Sequence, residues 1–364
     1  MATTQHTYRV SFNTPAFLGN AEQQAQWRTP PFKALLRQWW RIANASRCGF
    51  NHSTLAKAEA EVFGAASDEG QGSHRSRIQI RLSQWSAGNV VNWPDDTIIK
   101  HPEVTANNGQ LRPIGAHLYL GYGPLTYNNR RTSLENQDGH KWTAIDSAQE
   151  CPLLTLRYPD EWLDNALKLL HWFGTLGGRS RNGWGSLHLE PQADTPALPD
   201  LSKAALQPFL RDWTECLNLE WPHAIGRDER GSLVWVSKTE HANWSDAMKE
   251  LAQLKIKFRT ALKFTKPKGD FDDRHILAYP VTHHPVNEWG NMGRLANQLR
   301  FKLVRQQNGR HKPIVFHLPC GFPTPTLKKH NGIELDVAPE QQEKVWKAVH
   351  GVLEHVTSPV QRLT

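Results

Sequence analysis

The residues between Phe173 and Leu187 combine backbone freedom with positive charge. The stretch reads FGTLGGRSRNGWGSL and contains five glycines and two arginines, Arg179 and Arg181. Glycine permits a positive φ and the close approach of another backbone, and the amides of such a loop can point at phosphate oxygens. Guanidinium groups grip phosphate in a bidentate way. The stretch therefore fits a nucleic-acid backbone or, alternatively, a turn that docks a helix tightly on a sheet while its arginines are merely solvated.

The stretch differs from two common phosphate-binding loops. No Gly-Lys-Ser/Thr sequence closes it, and it runs from a predicted helix into a predicted strand, whereas a P-loop runs from strand to helix. The Rossmann fingerprint must also follow a strand and open a helix. Neither nucleotide-binding signature is present here.

The charge balance favours a polyanionic partner. Lysine and arginine exceed aspartate and glutamate by 43 − 35 = 8, and positive charge attracts nucleic acid. The four cysteines are far apart and form no CxxC pair, which argues against a zinc site and a disulfide scaffold. We find no apolar run of 18 residues and no apolar signal region in MATTQHTYRV. We expect a soluble, cytoplasmic protein without cofactor, metal or membrane contact.

The elements that must position the glycine-rich stretch predict a ferredoxin-like βαββαβ unit. Periodicity predicts helices that begin at Phe32 and at Trp162. It predicts strands near 8–12, 78–82, 117–123, 153–158 and 187–190. The order of these elements fits one such unit over residues 1–192, with an insertion at about 84–150.

The second half of the chain predicts a shorter unit of the same kind. PQADTPALPD leads into a connection, taken as residues 193–230. LVWV then begins a unit over 231–364, with helices over 244–264 and 339–356 and strands near 298–304 and 313–318. No clear last strand follows, so this unit is expected to be abridged. The predicted fold class is α+β.

The stretch GGRSRNGWG, between a helix and a strand, resembles the glycine-rich loop of the RAMP superfamily, the RNA-binding subunits of CRISPR effector complexes. Three more segments are similar to one branch, the first RAMP subunit of the type III-B (Cmr) complex. They are FNTPAFLGNAE (12–22), RTPPFKALLRQWWRIA (28–43) and VFGAASDEGQGSHRSRIQIRL (62–82). The four matches occur in order. Ala34 departs from a usual glycine, and past residue 200 the resemblance rests on ILAYPV (276–281) and RLANQLRFKLV (294–304).

The resemblance implies two ferredoxin-like (RRM-like) RAMP domains that hold guide (CRISPR) RNA and target RNA, beside other RAMP subunits, in antiviral defence. It implies no catalytic residues. By position it assigns RNA contact to residues of the first helix and its approach, of the basic strand, and of the loop at 174–185. They are Arg28, Lys33, Arg37 and Arg41; Arg75 and Arg77; and Gly177, Gly178, Arg179, Arg181, Gly183 and Gly185.

Two features of the first helix leave alternatives open. Trp39 and Trp40 are adjacent and cannot share one helix stripe, so Trp40 is a candidate for stacking on an RNA base, or else both rings pack inside. Lys33, Arg37 and Arg41 are four residues apart and make a basic stripe. The stripe would face RNA, an acidic neighbouring subunit or only water.

The alternative function is a RAMP-type endoribonuclease that processes guide RNA, with His52 or His74 as general base or acid. In such nucleases the glycine-rich loop lies near the C-terminus, whereas here about 180 residues follow it. Metal-dependent cleavage through Asp68 or the Asp272–Asp273 pair is a lesser alternative, since loop acids are usually just solvated. His283–His284 lack further ligands at metal-binding spacing. A basic scaffold without RNA affinity is the remaining reading.

Overall fold

The structure, a computed structural model, describes residues 3–65, 73–106, 108–135, 138–149, 151–159, 161–290, 293–324, 327–328, 332 and 335–363. Helices and mostly antiparallel strands mix within them, so the predicted α+β class is confirmed. In chain order the elements are β1 (Thr3–Phe12), α1 (Thr29–Asn44), α2 (His52–Phe63), β2 (Gln79–Leu82), β3 (Ile98–Thr105), β4 (Leu111–Gly115), α3 (Ala116–Gly121), β5 (Thr126–Asn128), β6 (Arg131–Ser133), β7 (Leu153–Pro159), α4 (Asp164–Phe173), β8 (Leu187–Pro191), α5 (Lys203–Leu206), β9 (Leu210–Asp212), α6 (Trp213–Cys216), β10 (Ile225–Asp228), β11 (Gly231–Ser232), β12 (Val234–Ser237), α7 (Trp244–Ala261), α8 (Asp273–Leu277), β13 (Leu299–Arg305), β14 (His311–His317), α9 (Pro339–Glu354) and β15 (Val360–Arg362).

The first four-stranded sheet has the order β2-β7-β1-β8, and every neighbouring pair is antiparallel. Tyr8 and Val10 of β1 are fully buried, while Arg9 between them is exposed, as the alternating sequence predicts. Along the chain, α1 lies between strands β1 and β2 of this sheet, and α4 lies between β7 and β8. This is the βαββαβ order predicted for the first unit, and β3 to β6 lie in the predicted insertion.

The second four-stranded sheet repeats the arrangement, with the order β13-β14-β12-β15 and antiparallel neighbours throughout. α7 follows its first strand, and α9 precedes its last. The last strand, which the sequence pattern did not reveal, spans only Val360–Arg362 and pairs with β12. The second unit is therefore short at its last strand and does not lack it.

The two units share a core, because α1 and α4 lie between the two sheets. Trp39 of α1 and Phe173 of α4 both contact Phe316 of β14, with ring centroids 6.1 and 4.6 Å away. The neighbouring Val315 points the other way, into a core that includes Trp346 of α9. The layers are thus sheet, helices, sheet, helices, and the second sheet is covered on both faces.

The insertion between β2 and β7 fastens onto the second unit. Glu103 of β3 accepts two hydrogen bonds from the Arg274 guanidinium, 2.6 and 2.7 Å long.

The segment 117–123 was predicted as a strand, but most of it belongs to helix α3. Asp96 accepts the backbone N–H groups of His117 and Leu118 and so caps this helix from 21 residues away along the chain. Among the described helices, none is both long and apolar enough to span a bilayer.

A buried histidine pair links the second sheet to α9. The side-chain oxygen of Gln298 accepts a hydrogen bond from the backbone N–H of Cys320. The same oxygen lies 3.3 Å from His317 Nε2, and because an amide oxygen can only accept, His317 Nε2 must donate to it. His317 Nδ1 is then unprotonated and accepts from His350 Nε2 at 3.1 Å. Both rings are neutral in this arrangement. Burial lowers both pKa values, that of His350 to about 3.

We expect acid to destabilise the protein through this histidine pair. An unfolded histidine has a pKa of about 6.5, so between pH 7 and pH 5 the unfolded state binds more protons than the folded state. Each ring should then lower the free energy of unfolding by about 2 kcal/mol at pH 5. Denaturant unfolding at several pH values measures this slope. His350→Phe should flatten it, and an identical slope in the variant would contradict the assignment.

Candidate nucleic-acid interface

The glycine-rich loop, residues 174–185, follows α4 and closes against the segment after β1. The backbone N–H of Gly178 donates to Phe17 O (2.8 Å), and that of Gly185 donates to Pro15 O (3.0 Å). Leu176 N–H donates to Gly185 O (2.9 Å), which folds the loop on itself. The loop amides described here are therefore used inside the protein.

Two of the glycines are required by close backbone contacts. Gly177 and Gly185 have φ values of +96° and +62°, a region that favours glycine. A Cβ at Gly177 would lie 2.6 Å from Phe17 O, and one at Gly185 would lie 2.0 Å from Leu176 O. Gly178 has more room, since its nearest neighbour would be Pro124 Cγ at 3.2 Å. The glycines at 177 and 185 thus serve the chain's own packing.

The tip of the loop joins the second unit. Arg181 O accepts from the backbone N–H of Phe301, so the loop lies along the edge strand β13. Lys255 of α7 donates to Asn182 Oδ1 at 2.8 Å, and Gly183 lies against Met248 of the same helix. The loop is therefore part of the contact between the two sheets.

Arg179 and Arg181 nevertheless project from this loop and are exposed. Burial of part of each side chain lowers both guanidinium pKa values from 12.5; the other ionisable groups that act on them are Tyr122 and Cys320 respectively. No carboxylate among the described residues pairs with either arginine. Both cations remain available to an external anion.

An exposed aromatic ring lies beside Arg179. Tyr122, just after α3 in the insertion, is 65% exposed, and a Cβ at the adjacent Gly123 would lie 3.2 Å from an Arg179 guanidinium nitrogen. Arg259 of α7 adds positive charge nearby, since burial and then the charges of Arg259 and Arg179 lower the pKa of Lys255 on the same helix. We call Tyr122, Arg179 and Arg181 the loop surface.

The basic stripe on α1 is largely neutralised. Arg37 and Arg41 both donate to Glu59 of α2, at 2.6 and 2.7 Å for two of these bonds. Burial favours the neutral acid, but the hydrogen bonds and charges of Arg41 and Arg37 outweigh it and lower the pKa of Glu59. Lys33 has no such partner among the described ion pairs, and burial and Arg37 lower its pKa. The prediction that Arg37 and Arg41 contact RNA is untested, although each has an internal carboxylate partner.

Trp40 is a core residue rather than an RNA contact. Its side chain is 4% exposed, and its indole N–H donates to Trp162 O at 3.1 Å. Trp39 is buried on the other side, between Phe173 and Phe316. Both rings are enclosed because α1 has sheet, helix and second sheet around it, which corrects the prediction for Trp40.

The remaining predicted RNA contacts lie at two places. Arg28 donates to Gly19 O (2.5 Å), close to the segment that pairs with the loop. Arg75 and Arg77 are exposed before β2, and the Arg77 guanidinium lies 5.5 Å from the Trp162 ring centroid. The structure does not gather all of these residues into one surface with Arg179 and Arg181.

Most of the candidate catalytic residues make structural contacts within the protein. Asp272 is 2% exposed and accepts backbone N–H groups of Thr265, Lys266 and Asp273. Asp273 accepts from Lys344, and His284 stacks on Phe264 with centroids 3.7 Å apart. His52 and His74 are exposed. Asp68 lies outside the described residues, within which no cluster of three or more metal-ligating side chains occurs.

A serine–histidine–aspartate group, with His117 and Asp96 in the insertion and Ser245 on α7, is a structural cluster and not a catalytic triad. His117 Nε2 lies 2.8 Å from Ser245 Oγ, and Nδ1 lies 3.5 Å from Asp96 Oδ1. The Trp93 indole, which can only donate, bonds His117 Nδ1 at 3.3 Å. The neutral ring therefore has its proton on Nε2 and donates it to Ser245, so it cannot act as a base toward that hydroxyl.

The sequence indicated the basic residues of the loop and of α1 but not the residues around them. Tyr122 and Lys255 lie near the loop, and Glu59 pairs with Arg37 and Arg41 of α1. All three come from elements far away in the chain, so their positions depend on tertiary contacts. Only Glu59 had a readable signal, since Leu55, Val62 and Phe63 are spaced for a helix that would place Glu59 on its buried face.

Comparisons with known proteins identify a family for the first unit. Residues 10–188 match the model of the RAMP superfamily. Among solved structures, Cmr1 from Pyrococcus furiosus in its apo form is 14% identical, with 94% of this chain and 96% of that chain covered and a TM-score of 0.46. A chain of the type III-B Cmr-beta complex bound to cognate target RNA is 11% identical, with 95% and 99% covered and a TM-score of 0.44. No curated protein matches the chain. The unit that residues 10–188 form therefore belongs to the RAMP superfamily, as its loop and first-helix motifs predict.

Proposed function

We propose that this protein is an RNA-binding subunit of a type III, Cmr-like CRISPR effector complex. It would help to hold guide RNA and capture target RNA in cytoplasmic antiviral defence, next to other RAMP subunits. The observation that carries the proposal is the loop surface, where two exposed arginines lie in the glycine-rich loop of a RAMP unit and pair with no carboxylate of the described residues. The ordered resemblance to the first Cmr RAMP subunit supports a Cmr-like complex.

The loop surface suits single-stranded RNA in two ways. Arg179 and Arg181 can each take a backbone phosphate, because a guanidinium fork matches phosphate oxygens. The exposed Tyr122 ring can stack on an unpaired base, which is how proteins hold single strands without reading much sequence. The nearby charge of Arg259 raises the local positive potential.

We expect replacement of Arg179 and Arg181 together by alanine to weaken single-stranded RNA binding about tenfold or more at moderate salt. Each lost phosphate contact should also reduce the slope of log affinity against log salt by about 0.7. Fluorescence anisotropy across a salt series measures both quantities. Arg47→Ala, which removes an exposed arginine from the turn after α1, is the matched control. Unchanged affinity and slope in the double variant would exclude the loop surface from the RNA site.

The same preparation tests the alternative function. Repeat RNA and unrelated single-stranded RNA are incubated with the protein in EDTA and run on native and denaturing gels. Shifted, intact RNA is the expected result. A discrete cut in the repeat alone, abolished by His52→Ala or His74→Ala, would identify a guide-RNA-processing endoribonuclease and overturn the proposed role.

A further inference from the structure

Arg300 is a half-buried cation that makes no ion pair with any carboxylate among the described residues. It lies on β13, next to Phe301, whose backbone N–H donates to Arg181 O across the contact between the two units. Its Nε is shielded from solvent and has no hydrogen-bond partner within the part of the chain that the structure describes. Burial and the like charge of Arg181 lower the pKa of Arg300 to about 9, so the guanidinium is still protonated at pH 7.

The surroundings of Arg300 do not neutralise this charge. The ionisable groups that act on it are Arg181 and Cys320. Burial raises the pKa of Cys320 to about 12, so this thiol is uncharged at pH 7. A charge that has lost part of its water beside a second cation is unfavourable unless an anion compensates it. Two neighbouring guanidinium groups, one of them exposed, leave such an anion a route from solvent.

We propose that Arg181 and Arg300 form a binding site for a phosphate group at the contact between the two units. Two guanidinium forks together can meet the oxygens of one phosphate. Arg181 belongs to the loop of the first unit and Arg300 to the edge strand of the second. A phosphate held by both would tie the units together. It could be a backbone phosphate of RNA, a source that rests on the function proposed above, or a free phosphate.

Thermal unfolding of the full chain tests the site directly. We expect inorganic phosphate to raise the Tm by about 2–5 °C relative to chloride at equal ionic strength. Arg300→Met should lose this increase. In chloride, that variant should be at least as stable as the wild type, because methionine removes the uncompensated charge. Arg305→Met, which removes an exposed arginine from the same strand, should keep the phosphate response.

Titration with single-stranded RNA separates the two sources. A weaker affinity of Arg300→Met, with a salt slope lower by about 0.7, supports an RNA phosphate. Unchanged RNA affinity with a lost phosphate response supports a free phosphate. A phosphate response in a wild-type chain that binds no RNA would support the site and sink the proposed function.

Two results would overturn the site. One is an equal response of the wild type to phosphate and chloride together with unchanged RNA affinity in Arg300→Met. The other is an Arg300→Met protein that unfolds or is clearly less stable in chloride, which would make Arg300 a structural residue. Arg181→Met, at an exposed loop position, must also lose the response or the site is refuted.

Discussion

Replacing Lys302 with methionine is expected to lower the free energy of unfolding by about 3–5 kcal/mol. Lys302 of β13 is 1% exposed, and its ammonium group donates to three backbone carbonyls of the first unit. These are the carbonyls of His171, Gly174 and Leu187, at 2.8, 3.0 and 2.7 Å. Methionine fills a similar volume but removes the donor to His171 O and Leu187 O, while Gly174 O keeps only the backbone N–H of Leu187 at 3.0 Å.

The size of this effect follows from what the carbonyls lose. His171 O and Gly174 O are at the end of α4, where helix carbonyls have no partner within the helix. Each unsatisfied buried group costs about 1–3 kcal/mol, and relief from burying the ammonium group offsets only part of that cost. One lysine thus satisfies the end of α4 and joins the second sheet to it.

Chemical denaturation measures this prediction. Lys257→Met, on the exposed side of α7, is the matched control and should change the free energy of unfolding by less than about 0.5 kcal/mol. Equal denaturation midpoints for Lys302→Met and the wild type would show that the three hydrogen bonds contribute little. They would also show that the two units do not depend on this contact.

The sequence was sufficient for the order of the main elements, because periodicity is local. The alternation at Tyr8, Val10 and Phe12 corresponds to β1, and the helical spacing from Phe32 corresponds to α1. β15 was beyond reach, since three residues hold too little pattern to read. α3 was mistaken for a strand because the carboxylate that starts it, Asp96, is distant in sequence.

The candidate site was only half readable for the same reason. The composition revealed a loop with glycines and arginines, but not which residues contact the predicted basic side chains. The Glu59 carboxylate holds Arg37 and Arg41, and Arg300 and Lys302 reach the first unit from more than 100 residues away. Long-range contacts of this kind leave no periodic signal in one sequence. The projecting arginines could be foreseen, whereas for Trp40 the sequence left both stacking on RNA and packing inside the protein open.

Replacing Gly185 with alanine is expected to lower the free energy of unfolding by about 3 kcal/mol or more. Alanine at its φ of +62° costs about 1–2 kcal/mol. The added Cβ would also lie 2.0 Å from Leu176 O, so the backbone must move. That movement would break the hydrogen bonds from Leu176 N–H to Gly185 O and from Gly185 N–H to Pro15 O.

Two control variants divide this cost into its parts. Gly49 has a similar φ of +59° but nothing within 4 Å of an added Cβ, so Gly49→Ala measures the conformational cost alone. Gly178→Ala adds a Cβ to the same loop without a positive φ, where Pro124 Cγ is 3.2 Å away, and should cost below about 1 kcal/mol. The excess of Gly185→Ala over Gly49→Ala is the cost of the close approach.

The same variants decide what the glycines do for RNA. If their amides faced phosphate, Gly178→Ala would weaken RNA binding while the protein stayed folded. If they serve packing, as their bonds to Phe17, Pro15 and Leu176 indicate, Gly178→Ala should keep its RNA affinity and Gly185→Ala should lose stability first. RNA binding measured on protein shown to be folded at that temperature separates the outcomes. In the second case, the glycines would contribute indirectly by holding the backbone so that Arg179 and Arg181 project toward solvent.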